Sequence, residues 1–74
     1  MTTVYEINAN AKRCLAECNK QIAEIDAEMD RLVEKLTAGE VTALFVKIRE
    51  LTLRERREQA EVMRKAMLGV IKHF

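Results

Sequence analysis

Three sulfur-bearing side chains have types and spacing that could bind a metal. Cys14 and Cys18 are four residues apart, which places two thiols one turn apart on the same face of a helix. If the chain folds back at Gly39, Met63 comes to lie near Cys14. Two thiols and a thioether favour a soft ion such as Cu(I), so one alternative function is a Cys/Met metal-binding helical bundle. Because both residue types also fill helix cores, and a structural zinc site needs four ligands, we predict no metal or cofactor.

The second half of the sequence is basic and suggests another alternative. Residues 40–74 carry eight basic and five acidic side chains, whereas residues 1–39 carry five basic and seven acidic ones. A surface that contacts phosphates would use the cationic side chains of this half, which are Arg54, Arg56, Arg57, Arg64 and Lys65. Interleaved glutamates dilute that charge, and the whole chain has a net charge of only +1. A nucleic-acid-binding regulator that uses the basic face of the second helix is therefore an alternative function.

The elements that position these side chains are two long helices. Apolar residues recur every three or four positions from Val4 to Leu36, which is typical of an amphipathic helix. Thr3 and Glu6 form a capping box at its start, and Gly39 is suited to end it. The same pattern continues after Gly39, with a polar interruption over residues 54–61. We predict an all-α fold, an antiparallel two-helix hairpin with helices over residues 3–37 and 40–73, which forms a single domain over residues 1–74.

A lone hairpin leaves part of these apolar stripes uncovered. We therefore expect a homodimer or higher homo-oligomer, with a homodimeric four-helix bundle as the predicted assembly. The residues predicted at the interface are Ile22, Ile25, Met29, Leu32, Val33, Leu44, Phe45, Ile48, Val70 and Phe74. Glu55 and Gln59 fall on the apolar stripe of the second helix. We expect Glu55 at the rim and Gln59 buried, where it would set the helix register.

The sequence also favours some classes of function over others. It contains no Ser/His/Asp set and no Gly-rich phosphate loop, and a hairpin offers little concave space for converging polar groups, so we predict no enzymatic activity. Its apolar runs are too short to span a membrane, and two cysteines without a secretory signal are typical of the cytoplasm. The leading hypothesis is a non-enzymatic helical protein that self-associates and binds another protein, as an adaptor, inhibitor or regulator.

Overall fold

The computed structural model describes residues 3–73, and the side chains of residues 3–71. The described chain is a hairpin of two helices, α1 over Val4–Thr37 and α2 over Ala43–His73, which pack against each other along their length. Its longest dimension is 55 Å. The all-α fold and the helical hairpin are therefore confirmed.

The ends of α1 follow the predicted signals. The Thr3 hydroxyl accepts a hydrogen bond from the backbone N–H of Glu6 at 3.1 Å and caps the helix. After Thr37 the chain leaves the helix through Gly39, whose φ of +75° lies in the left-handed region that favours glycine. The N–H of Glu40 then donates to the carbonyl oxygen of Lys35 at 2.9 Å, which satisfies one of the last helical carbonyls.

The start of α2 differs from the prediction by three residues. The helix begins at Ala43 and not at Glu40. The reason is a second cap, because the Thr42 hydroxyl accepts a hydrogen bond from the N–H of Phe45 at 3.2 Å. Residues 38–42 form the connection, which is short enough to hold the two helices antiparallel.

The core runs between the helices as two rows with a spacing of seven residues. In α1 the buried row comprises Ala11, Cys18, Ile25 and Leu32. In α2 the corresponding row comprises the buried Leu53 and Ala60, with the half-buried Val46 and Met67 on either side. Ile25, Leu32 and Leu53 form the best-buried cluster. A spacing of seven residues is typical of two helices that pack side by side with a small crossing angle.

The rotation of α2 about its axis is the main difference from the sequence-based expectation. The apolar stripe predicted for α2, on which Glu55 and Gln59 fall, also carries Leu44, Ile48 and Leu51, and these three side chains are exposed. Gln59 is exposed as well, so the prediction that it is buried is wrong, whereas Glu55 is exposed as expected. Turning the expected stripe inward would have placed two glutamates, Glu55 and Glu58, against the apolar surface of α1, which is costly without partners.

Candidate functional site

The outer face of α2 is a row of six residues on the side turned away from α1. It comprises Leu44, Ile48, Leu51, Glu55, Glu58 and Val62. The four apolar members are between 58% and 69% exposed. Leu44 and Val62 are each nine positions from the buried Leu53, or two and a half helical turns, so they point in the opposite direction. α2 therefore has apolar residues on two opposite faces.

One side of the hairpin carries an open groove between the helices, which we call the interhelix groove. Its volume is about 750 Å³, and it is open to solvent. Its floor is apolar and includes Cys18, Ile25, Leu53 and Ala60. Its rim is polar and is formed by Glu17, Gln21, Glu24, Glu28, Arg31, Arg56 and Gln59. An apolar floor with a charged rim is the usual composition of a surface that binds another polypeptide.

The other side of the hairpin is crossed by arginine side chains. The Nε of Arg57 lies 2.9 Å from Oδ1 of Asp26 on α1, and its Nη1 donates to Glu61 on α2. The two carboxylates raise the pKa of the Arg57 guanidinium, chiefly through their hydrogen bonds to it. About two turns further, the Nε of Arg64 donates to Oδ1 of Asn19 at 2.9 Å. These contacts join the helices on this side and leave the opposite side open.

A second interhelical ion pair lies near the connection. The Nη2 of Arg49 is 2.8 Å from Oε1 of Glu28, and both side chains are about one-third exposed. Glu28 also lines the interhelix groove, so this pair lies beside the groove. The groove runs along the middle of the hairpin, from Cys14 and Met63 to Arg31.

The three sulfur-bearing residues line this same groove. Cys14 is half-buried, Cys18 is buried, and Met63 is 47% exposed on the facing helix. Burial raises the pKa of the Cys18 thiol, and the neighbouring Cys14 raises it further by its charge and by a hydrogen bond. A raised pKa disfavours the thiolate that a metal would need. Among residues 3–71, no cluster of three or more His, Cys, Asp or Glu side chains is suited to hold a metal ion.

The five basic residues of the proposed nucleic-acid face do not share one surface. Arg56 and Lys65 are nine positions apart, on opposite sides of α2. Arg57 and Arg64 are engaged with Asp26 and Asn19, as described above. Arg54 forms an ion pair with Glu50 at 2.5 Å. Arg56 therefore lies apart, on the groove side of α2, while the other four share one flank of the helix.

The predicted interface residues are found in three environments. Ile25 and Leu32 belong to the core of the hairpin, and Met29 packs against it. Ile22 and Val70 are half-buried, and Phe74 lies outside the described residues. The remaining four are exposed, and they are Val33, Leu44, Phe45 and Ile48.

The predicted interface omits two apolar members of the outer face, Leu51 and Val62. Their signal was present, since Leu44, Ile48, Leu51, Glu55, Glu58 and Val62 follow alternating steps of four and three residues. The two glutamates concealed it, because they interrupt the apolar pattern. The partners of Arg49 and Arg57 on α1 were missed as well, since they depend on how the two helices are aligned.

Comparison with known protein families, with curated proteins and with solved structures gave no match. Within the described residues, neither helix has a stretch that is long and apolar enough to cross a membrane.

Proposed function

We propose that this chain is a non-enzymatic interaction protein that forms a homodimer through the outer face of α2 and binds another protein, as an adaptor, inhibitor or regulator. The observation that carries the proposal is the outer face itself. Leu44, Ile48, Leu51 and Val62 are all more than half exposed, on a helix whose inward face is already packed. An exposed apolar row flanked by polar residues is typical of an association surface. Because the outer face points away from α1, pairing two outer faces would arrange the four helices in a row, with the two α2 helices in the middle.

The interhelix groove supports the second half of the proposal. Its apolar floor and polar rim suit a protein segment such as an amphipathic helix. Three glutamates on the rim, Glu17, Glu24 and Glu28, accompany Arg31 and Arg56. The rim therefore carries both signs of charge and lacks the concentration of cations that contacts a phosphate backbone, so we favour a protein partner over a nucleic acid. Two free cysteines on one helix are consistent with a reducing compartment such as the cytoplasm.

Sedimentation equilibrium tests self-association. We expect the wild-type chain to sediment as a dimer that dissociates on dilution, and the double variant Ile48→Glu/Leu51→Glu to sediment as a monomer. Tyr5→Glu is the matched control, since Tyr5 is 81% exposed on α1 and lies away from the outer face. Circular dichroism should show that both variants remain helical. A wild-type monomer at millimolar concentration, or a double variant with the wild-type mass, would contradict the proposal.

Capture from an extract of the native organism tests the groove. We expect the immobilised chain to retain a specific protein, and we expect Met63→Glu to abolish that retention by placing a charge in the groove. Leu68→Glu is the control, because Leu68 is similarly exposed, at 42%, and does not line the groove. Equal retention by the two variants would exclude the groove as the binding site.

A further inference from the structure

We propose that the second copy pairs its α2 with the α2 of the first in an antiparallel orientation, so that Leu44 packs against the partner's Val62. This inference rests on the proposed self-association and adds its geometry. The two-fold axis would cross the contact at the level of Leu53, midway between Leu44 and Val62 along the helix. The occupant of the outer face is then a second copy of this chain.

The outer face has the spacing that such a pairing needs. Its six positions alternate steps of four and three residues from Leu44 to Val62, which is the repeat by which two helices pack side by side. Leu53 and Ala60, on the opposite face, are buried against α1. One helix can therefore pack against α1 and against a second α2 at the same time.

The glutamates decide between the two orientations. In a parallel two-fold pairing each residue meets its own copy, so Glu55 would face the partner's Glu55 and Glu58 would face the partner's Glu58. Like charges opposite each other at a helix contact are destabilising. In the antiparallel pairing, Glu55 is opposite the partner's Leu51 and Glu58 is opposite the partner's Ile48. Each glutamate then packs its methylene groups along an apolar side chain while its carboxylate reaches the solvent at the edge of the contact.

A charge pair at the edge of this contact favours the same register. Lys47 precedes Ile48, so the antiparallel pairing places it beside the partner's Glu58, and the two-fold axis repeats the pair. Both side chains are exposed. Among residues 3–71, neither takes part in an ion pair within the hairpin. The antiparallel pairing therefore brings opposite charges together at two symmetry-related places on the edge of the contact.

Disulfide cross-linking tests this geometry in the 74-residue chain. The native cysteines are first replaced by Cys14→Ala and Cys18→Ala. Leu44→Cys and Val62→Cys chains are then prepared separately, mixed, and oxidised with glutathione disulfide. We expect mixed dimers that join the two chains, which mass spectrometry distinguishes. Each chain alone should form few disulfides, because the antiparallel pairing separates the two copies of either residue by about 27 Å along the axis.

Each possible result of the cross-linking leads to a different conclusion. The rate of disulfide formation by Tyr5→Cys gives the background from random collisions. Efficient linkage of Leu44→Cys to itself would mean a parallel pairing and would overturn the inference. A dimer in sedimentation with no linkage above background would also overturn it and would leave self-association intact. A monomer throughout would remove the proposed self-association as well.

Charge reversal provides an independent readout. Lys47→Glu and Glu58→Lys should each weaken dimerisation by about two- to tenfold, since each creates two like-charged contacts at the rim. The double variant Lys47→Glu/Glu58→Lys should recover most of the wild-type affinity, because the pairs reform with their signs exchanged. Additive losses in the double variant would show that these two side chains do not meet.

Discussion

The two helices have similar lengths, but they distribute their apolar residues differently. α1 gathers them in one stripe, of which Ala11, Cys18, Ile25 and Leu32 are buried against α2. α2 divides them between its inward row and its outer face, where Leu44, Ile48, Leu51 and Val62 are exposed. The apolar stripe of α1 therefore faces α2, whereas α2 has a second apolar face that α1 does not cover.

The inward face of α2 also differs in its chemistry. Arg57 and Arg64 are half-buried at the flank of this face and reach Asp26 and Asn19 on α1. Their long aliphatic stems can cover apolar surface while the guanidinium groups contact polar side chains at the edge. α2 thus contacts α1 through fewer large apolar side chains than α1 contributes. The leftover apolar residues of α2 are the reason to expect a further partner.

The largest expected effect comes from two leucines two positions apart on α2. Leu53 is 1% exposed, so Leu53→Ala should lower the free energy of unfolding by about 2–5 kcal/mol at any protein concentration. Leu51 is 60% exposed, so Leu51→Ala should leave the isolated hairpin within about 0.5 kcal/mol of the wild type. The loss of stability caused by Leu51→Ala should grow with protein concentration, because the substitution weakens the dimer. Urea denaturation at two protein concentrations measures both effects.

Equal losses for the two leucines at both concentrations would erase the distinction between the faces of α2. A loss for Leu51→Ala that does not change with concentration would mean that Leu51 supports the hairpin alone. Either result would remove the reason to assign the outer face to association.

The contrast between the helices also explains what the sequence could predict. In α1 one stripe satisfies the helical period, so Ile25 and Leu32 could be placed on its apolar face. In α2 two rows satisfy that period, one through Val46 and Leu53 and the other through Leu44 and Ile48. Pattern alone does not choose between them. The choice depends on the cost of burying Glu55 and on polar contacts to α1, and both require the alignment of the two helices.

The candidate surfaces were predictable to a similar extent. The proximity of Cys14 to Met63 follows from antiparallel pairing about Gly39, and both residues line the interhelix groove. The groove itself was not predictable, because it exists only where no long side chain crosses between the helices. The arginine contacts of Arg57 and Arg64 lie on the other side, and the direction of a flexible side chain is not encoded in the spacing of apolar residues.

The smallest expected effect concerns the ion pairs that involve α2. Arg57 joins α2 to Asp26 of α1, whereas Arg54 contacts Glu50 within α2 alone. A double-mutant cycle with Arg57→Met and Asp26→Asn should therefore show a stabilising coupling that weakens at about 1 M salt, where charges are screened within roughly 3 Å. The matched cycle with Arg54→Met and Glu50→Gln should show a smaller coupling, since that pair holds no tertiary contact. Urea denaturation of the seven proteins, with the wild type shared by both cycles, at low and high salt measures both couplings. If the intrahelical pair couples as strongly as the interhelical one, Arg57 does not help to hold α2 against α1, and the inward apolar row of α2 must account for the hairpin by itself.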